Sequence, residues 1–191
     1  MVKINFILFL MFAVMFSCKQ EYTPKPHGYF RIQFKEKSYH RLDSDVFPYN
    51  FDVPVYSKIV IDQDRLAEPY WINIKIPDHK AEVHISYKKV NKNLPQLLED
   101  SRKLAYKHTI KADAINEQIV INKAKKVYGT IYQIEGNAAS PLQFYLTDST
   151  KNFLRGALYI REIPNIDSLR PVIDYLTPDV IHLIETTEWK N

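Results

Sequence analysis

The sequence of 191 residues contains one cysteine, Cys18, and only four glycines. Because there is no second cysteine, the chain cannot form an internal disulfide bond, the usual staple of small secreted proteins. The few glycines, beside 13 tyrosines, favour sheet over loop-rich structure. The sequence also lacks a glycine-rich phosphate-binding loop and any low-complexity segment.

The chain lacks a concentrated charge of either sign. It has 26 basic and 22 acidic residues, a formal net charge of +4. Basic clusters such as Lys88-Lys89 and Lys123/Lys125/Lys126 are short, as on an ordinary solvated face. Nucleic-acid recognition needs a concentrated basic face, so we expect no nucleic-acid partner.

Residues 4–16 are apolar apart from Asn5, but this run is too short for a membrane span of about 20 residues. Its length is typical of the apolar core of a secretory signal peptide. The run ends at Ser17-Cys18, an order that resembles the bacterial lipobox, in which the chain is cut before a lipid-modified cysteine. The alternatives are a cysteine buried in a core helix and a free reactive thiol.

These features predict three regions. Residues 1–17 are a lipoprotein signal peptide, and 18–27 are a lipidated tether kept extended by Pro24 and Pro26. Residues 28–191 are a single α+β domain, since that length suffices for one proper core.

Alternating apolar residues predict an antiparallel sheet. Segments 70–76 and 81–90 flank the turn 77–80 and form a predicted hairpin. Segments 126–135, 142–147 and 153–162 form a predicted meander. Segments 28–34 and 57–62 are two further strand candidates.

Two stretches carry apolar residues at helical spacing. The first is 94–108, with Asn93 as the predicted cap. The second starts near Asp167, and we expect Pro178 to interrupt it, so that another helix begins there. The predicted fold is therefore α+β, an antiparallel sheet of about five to seven strands covered by two or three helices.

The sequence shows no catalytic constellation. Ser140 lies outside a G-x-S-x-G elbow, and His79 and His84 make only a weak metal site. The carboxylate pairs Asp43/Asp45 and Asp62/Asp64 lie in charged, loop-like stretches, where solvated side chains are the default. We therefore expect no enzyme activity, no metal and no cofactor.

One stretch suits a partner-binding surface. Small side chains would let a partner's backbone approach, and Arg155 is of a type enriched in interface hot spots. The alternatives are a plain strand connection and ordinary cross-strand packing of Arg155. The predicted surface comprises Gly136, Asn137, Ala138, Ala139, Ser140 and Arg155.

Several segments together carry a family resemblance, in order along the whole mature chain. They are PKPHGYFRI, FPYNFDVPVYS, PYWINI, EGNAASPLQFYLTDSTKNFLRGALYI and PNIDSLRPVIDYL. They resemble the GldD family of gliding-motility lipoproteins from Bacteroidota. The resemblance implies a non-enzymatic, palmitate-bearing envelope lipoprotein needed for gliding and for the linked type IX secretion machinery, with Cys18 as its lipidated residue. The order of elements is also similar to that of Mog1/PsbP-like domains.

Two classes of function stay open. The first is a non-catalytic lipoprotein, at the outer membrane facing the periplasm, that binds and stabilises or positions other motility and type IX secretion proteins. The second is a small-molecule or glycan-binding periplasmic lipoprotein, or a hidden hydrolase. A deep pocket of ionisable groups favours the second class. A shallow face of exposed aromatics such as Tyr29, Tyr49, Tyr70 or Trp71 favours the first.

We predict that Cys18 is the acylated first residue of the mature protein. Intact-mass analysis of protein purified from its native envelope should give a chain that starts at residue 18 and carries lipid. A chain that retains Met1, or one cut elsewhere with a free thiol, would contradict the lipobox interpretation.

Overall fold

The computed structural model describes residues 32–42, 45–107, 112–162 and 165–190, so Cys18 and most of the candidate strand 28–34 lie outside the described residues. The strands are β1 (Tyr39–Arg41), β2 (Tyr49–Asn50), β3 (Asp52–Pro54), β4 (Lys58–Ile61), β5 (Ile72–Ile76), β6 (Ala81–Lys89), β7 (Ala112–Asn122), β8 (Val127–Gly136), β9 (Leu142–Thr147), β10 (Asn152–Ile160) and β11 (Glu188–Trp189). The helices are α1 (Leu94–Tyr106) and α2 (Ile166–Thr186), and Pro77–His79 forms one 3-10 turn.

Seven of these strands form one sheet in the order β4-β5-β6-β10-β9-β8-β7, and all neighbours are antiparallel. Two short ribbons, β1 with β3 and β11 with β2, stand beside it. The sheet and the two helices confirm the predicted α+β class, its strand number and its helix number.

The predicted hairpin and meander are both confirmed. β5 and β6 pair across the 3-10 turn, so that Ile74 lies opposite Val83. β8, β9 and β10 form the meander, in which Phe144 lies between Ile131 and Gly156. β10 then pairs along its whole length with β6, which joins the hairpin and the meander into one sheet.

The two helices cover opposite faces of the sheet. α2 buries Val172, Leu176 and Val180 in the core formed by the alternate apolar residues of β5, β6, β9 and β10. α1 buries Leu97, Ser101 and Ala105 over β9 and β10 on the other face. Both faces of the central strands are therefore covered.

The prediction that Pro178 divides the last helix is wrong. α2 continues through Pro171 and Pro178 to Thr186. A proline inside a helix costs about 3 kcal/mol, but each fully buried Leu or Val contributes about 1.5–3 kcal/mol. The buried stripe runs on past Pro178 through Val180, Leu183 and Ile184, so packing outweighs the lost backbone hydrogen bond.

The start of α1 differs in one detail from the prediction. Asn93 occupies the N-cap position, but its side chain makes no capping hydrogen bond. Its Oδ1 atom instead accepts a hydrogen bond of 2.8 Å from the backbone N–H of Asn91. The helix start therefore depends on the buried stripe and on Pro95 in the first turn.

A buried carboxylate fixes the first described segment to α2. Asp179 is 3% exposed. It accepts a hydrogen bond from the Tyr39 hydroxyl at 2.8 Å and one from the Tyr56 hydroxyl, and it pairs with the Lys37 ammonium at 2.8 Å. Burial, followed by the bond to Asp179, raises the pKa of Tyr39, so this phenol stays a neutral donor. Three donors therefore satisfy one buried charge.

The sequence patterns did not predict several of the strands. β7 was not predicted, and its side chains are mostly exposed; Ile119 and Ile121 are 74% and 64% exposed. The short strands β1, β2, β3 and β11 were not predicted either. Within the candidate strand 28–34, the described residues 32–34 are not in a strand.

The close packing of β9 on β10 gives a test of the fold. A Cβ atom at Gly156 would lie 2.2 Å from ring atoms of Phe144. Gly156→Ala should therefore lower the free energy of unfolding by about 1–3 kcal/mol through overpacking. Thermal denaturation should show a fall in Tm of roughly 2–4 °C for each kcal/mol.

The matched control is the double variant Gly156→Ala/Phe144→Leu. Because the smaller side chain makes room for the new methyl group, we expect the double variant to be more stable than the sum of the single effects predicts. Strictly additive effects would mean that the Phe144 ring is not what excludes a side chain at position 156.

Candidate functional site

The loop predicted as a partner surface has structural roles. Gly136 has φ +95° and a Cβ atom there would lie 2.8 Å from the Asp113 backbone nitrogen, so this position requires glycine. The Asn137 side chain accepts a hydrogen bond at 2.9 Å from the backbone N–H of Ile166, at the start of α2. Gly136, Ala138 and Ser140 are buried, whereas Asn137 and Ala139 are exposed.

The structure does not bring Arg155 to this loop. Arg155 lies level with Tyr145 and Thr130 across β9 and β8. Gly136 is six residues further along β8 than Thr130, about 20 Å at ~3.3 Å per residue. Arg155 donates from Nη2 to Gln143 Oε1 at 2.5 Å, beneath α1. The six predicted residues therefore occupy two separate places.

The other candidate residues do not form a catalytic or metal centre. His79 packs on the rings of Phe34 and Tyr175, whereas His84 contacts the Glu82 carboxylate at 2.8 Å on the face that α1 covers. Among the described residues, no three metal-ligating side chains come together. Asp62 and Asp64 each accept a backbone N–H within one turn, and Asp43 lies outside the described residues.

The aromatic residues do not form a shallow exposed face. Tyr49 is fully buried, and Tyr70 and Trp71 are partly buried against the core. Tyr29 lies outside the described residues. A shallow face of exposed aromatic residues, the feature expected to favour a protein-binding role, is thus not found among the described residues.

An open cleft of about 970 Å³ lies at one end of the sheet. Antiparallel pairing puts the end of β6, the β7–β8 turn and the β9–β10 turn at this same end. The residues next to β2 and the chain after β11 complete its walls. Its lining includes the aromatic side chains of Phe47, Tyr70, Tyr87 and Trp189.

Asp148 holds the β9–β10 turn that forms one wall of this cleft. Its Oδ1 atom accepts three backbone N–H bonds, from Thr150 at 2.8 Å, Lys151 at 2.7 Å and Asn152 at 2.9 Å. Its Oδ2 atom accepts the Asn152 side-chain amide at 2.7 Å. Burial alone would raise the pKa of Asp148, but these hydrogen bonds together outweigh burial and lower that pKa. The Asp148 carboxylate is thus already hydrogen-bonded within its own turn.

Glu188 is likewise occupied by the chain's own cations. It pairs with Lys125 at 3.0 Å and with Arg41 at 2.5 Å. The hydrogen bond from Lys125 is the main cause that lowers the pKa of Glu188.

Positive charge is therefore in excess in the cleft. Five lysines line it against three carboxylates, Asp45, Asp148 and Glu188. Within the part of the chain that the structure describes, Lys89, Lys126 and Lys151 form no ion pair within 4 Å. Such a cleft suits an acidic ligand.

Sequence reasoning missed this cleft because its walls come from distant parts of the chain. The cluster Lys123/Lys125/Lys126 was interpreted as a solvated face, and nothing local links it to Lys89 or Lys151. The turn chemistry of DSTKN was recognised, but only the pairing of β10 with β6 places it beside the end of β6.

The fold and the cleft define an α+β domain that presents an open, lysine-lined cleft at one end of its sheet. A model of the family described as gliding motility lipoprotein GldD matches residues 19–189. The chain therefore belongs to the GldD family of gliding motility lipoproteins, which confirms the resemblance found in the sequence. Membership implies a lipid-anchored envelope protein with a role in gliding motility.

The chain was also compared with solved structures and with curated proteins. The solution structure of cyanobacterial PsbP (CyanoP) from Synechocystis sp. PCC 6803 is similar at 12% identity, with a TM-score of 0.48, over 86% of this chain and 99% of that chain. No similar sequence was found among curated proteins. Within the described ranges, none of the helices has the length and apolar character needed to cross a membrane.

The hydrogen bonds that Asp148 accepts predict that the free energy of unfolding depends on pH. Because folding lowers the pKa of Asp148, its stabilisation is fully present above the ordinary value of 3.8 and is lost as pH falls through the lowered pKa. Asp148→Asn should therefore lower the free energy of unfolding by about 1–3 kcal/mol at pH ~7. The difference from the wild type should shrink below pH ~3.8. Denaturant titrations across this range measure it.

Asp64→Asn is the control, since Asp64 accepts a single backbone N–H in an exposed turn. We expect that change to have a smaller effect at every pH. An Asp148→Asn difference that stays constant down to the lowest pH would show that charge plays no part in holding the turn.

Proposed function

We propose that this chain is a non-catalytic envelope lipoprotein that binds an acidic segment of another motility protein in its lysine-lined cleft, and thereby stabilises or positions that protein. The partners would be components of the gliding and type IX secretion machinery. The proposed location is the outer membrane, facing the periplasm, with Cys18 as the lipid anchor.

The observation that carries this proposal is the set of three lysines, Lys89, Lys126 and Lys151, which have no ion pair within the described chain. All three carboxylates in the cleft are engaged by the chain's own donors, Asp148 by its turn, Glu188 by Lys125 and Asp45 by Lys190 at 3.9 Å. An acidic partner segment would form ion pairs with these three lysines. Steering by complementary charge would also speed association.

The chemistry of the lining supports binding rather than catalysis. The described residues of the cleft include no histidine, serine or cysteine. Among the cleft carboxylates, Asp148 has both of its oxygens occupied by hydrogen bonds. A general base needs a free position for the proton that it abstracts.

The surface predicted from the sequence stays a second proposed contact. Within it, the exposed residues Asn137 and Ala139 are the members that a partner could reach without a rearrangement. Arg155 belongs to a different part of the molecule.

One observation favours the alternative of a small-molecule or glycan ligand. The cleft volume of about 970 Å³ is within the range of about 300–1,000 Å³ that is typical of ligand sites. Aromatic rings such as Trp189 beside polar groups would suit a sugar.

Charge reversal in the cleft tests the proposal. Lys89→Glu/Lys151→Glu, in the full-length lipidated protein with a tag, should retain the fold but capture about tenfold less of its partner from solubilised envelope. Capture by the wild type should weaken as salt rises, because exposed charges are screened. Mass spectrometry identifies and quantifies the captured proteins.

The control Lys58→Glu/Lys103→Glu makes the same change in net charge at exposed lysines outside the cleft, and it should capture the partner normally. Equal loss in both double variants would refute the cleft as the binding site. Binding to the cleft that survives protease digestion of the envelope would favour a glycan or a small molecule.

A further inference from the structure

Arg155 lies in the middle of the sheet and has no acidic partner in the part of the chain that the structure describes. Its side chain, which is partly buried, donates to Gln143 Oε1 at 2.5 Å and lies beside the Tyr159 hydroxyl. Among the described residues, no carboxylate lies within 4 Å of the guanidinium. By contrast, Arg161 forms two hydrogen bonds of 2.8 Å with Glu82, on a neighbouring part of the same face.

Donors outnumber acceptors around this guanidinium. Arginine carries five N–H donors and no acceptor. The side chain of Gln143 is 1% exposed, and its Nε2 atom is buried with no hydrogen-bond partner in the described chain. Burial lowers the pKa of Arg155, which reflects the cost of removing part of this charge from water.

Arg155 lines a cavity of about 230 Å³ between α1 and the sheet. Apolar side chains, including Trp71, Leu97 and Phe153, form much of its wall, and the Ser86 and Ser101 hydroxyls are also present. Sites for small molecules combine such apolar walls with a few convergent polar groups. The volume is below the ~300–1,000 Å³ of drug-sized sites, so the occupant is small.

The other charged side chains around the cavity restrict the charge that a ligand can carry. Lys88 is paired with Glu68, and His84 contacts Glu82, so these two side chains already have acidic partners. Asp62 and Asp100 are the carboxylates of the lining. They would repel a dianion more strongly than a monoanion.

We propose that this cavity binds a small monocarboxylate with an apolar group, held through a bidentate pair between its carboxylate and Arg155. The planar guanidinium fork matches a carboxylate, and Gln143 fixes the fork from one side. The apolar part of the ligand packs between α1 and the sheet, on Trp71, Leu97 and Phe153. This site is separate from the lysine-lined cleft.

Calorimetric titration of the purified protein with phenylacetate tests the proposal, with phenylacetamide as the uncharged control. Phenylacetate should bind the wild type with a Kd below about 10 mM, and phenylacetamide should bind at least about tenfold more weakly. Arg155→Met removes the charge but keeps the length, and it should abolish the preference for the acid. Lys89→Glu/Lys151→Glu should bind phenylacetate as the wild type does.

Stability in the absence of ligand gives a second readout. Because Arg155→Met removes a partly buried charge that has no acidic partner among the described residues, we expect its Tm to be equal to or higher than that of the wild type. If this variant does not fold, Ser101→Leu serves instead, since it fills the cavity from α1 and should weaken phenylacetate binding by about tenfold or more.

Three results would overturn the proposal. The first is no binding of phenylacetate by the wild type up to the concentration limit. The second is equal binding of phenylacetate by the wild type and Arg155→Met. The third is binding of inorganic phosphate as tight as that of phenylacetate, which would leave an anion site with no preference for a carboxylate.

Discussion

The pairing of β10 with β6 is the interaction on which the rest of the structure depends. It runs from Asn152 opposite Lys89 to Ile160 opposite Ala81, and it joins a hairpin and a meander that are otherwise local. One end of this pairing puts the β9–β10 turn beside the end of β6 and so forms the lysine-lined cleft. Its middle puts Arg155 opposite Ser86 and so forms the floor of the cavity under α1.

A buried carboxylate and a partly buried guanidinium show how differently the two faces of the sheet are completed. On the side of α2, Asp179 is satisfied within the chain by Lys37, Tyr39 and Tyr56, and this fixes the first described segment in place. On the side of α1, Arg155 has an amide and a phenol beside it, and no carboxylate of the described residues lies within 4 Å of its guanidinium. A charge that is removed from water without a counter-charge is costly. The charge of Asp179 is balanced within the chain, whereas a bound ligand would supply the counter-charge of Arg155.

Sequence patterns predicted those parts of the fold that depend on neighbours in the chain. The hairpin around Pro77–His79, the meander and α1 each bury one regular stripe, so alternation or helical spacing suffices. The patterns missed β7 because it is an edge strand whose side chains are mostly exposed. They divided α2 at Pro178 because local propensity alone does not include the packing of Val180 and Leu183 on the sheet.

The candidate sites were harder to predict for a physical reason. The cleft draws its walls from segments as distant as Asp45 and Lys190, which only the sheet order brings together. Arg155 was singled out from its residue type, but the grouping with Gly136–Ser140 followed closeness in sequence. In an antiparallel meander, residues that face each other across a turn lie close together, whereas residues at opposite ends of one strand lie far apart.

The central claim is that a protein partner occupies the lysine-lined cleft in the living envelope. The most direct measurement is photo-crosslinking in gliding cells from a light-activated amino acid at position 151, compared with the same amino acid at position 58. We expect a discrete crosslinked species of another envelope protein from position 151 and none from position 58. Crosslinks that are absent from position 151, or equal from the two positions, would contradict it.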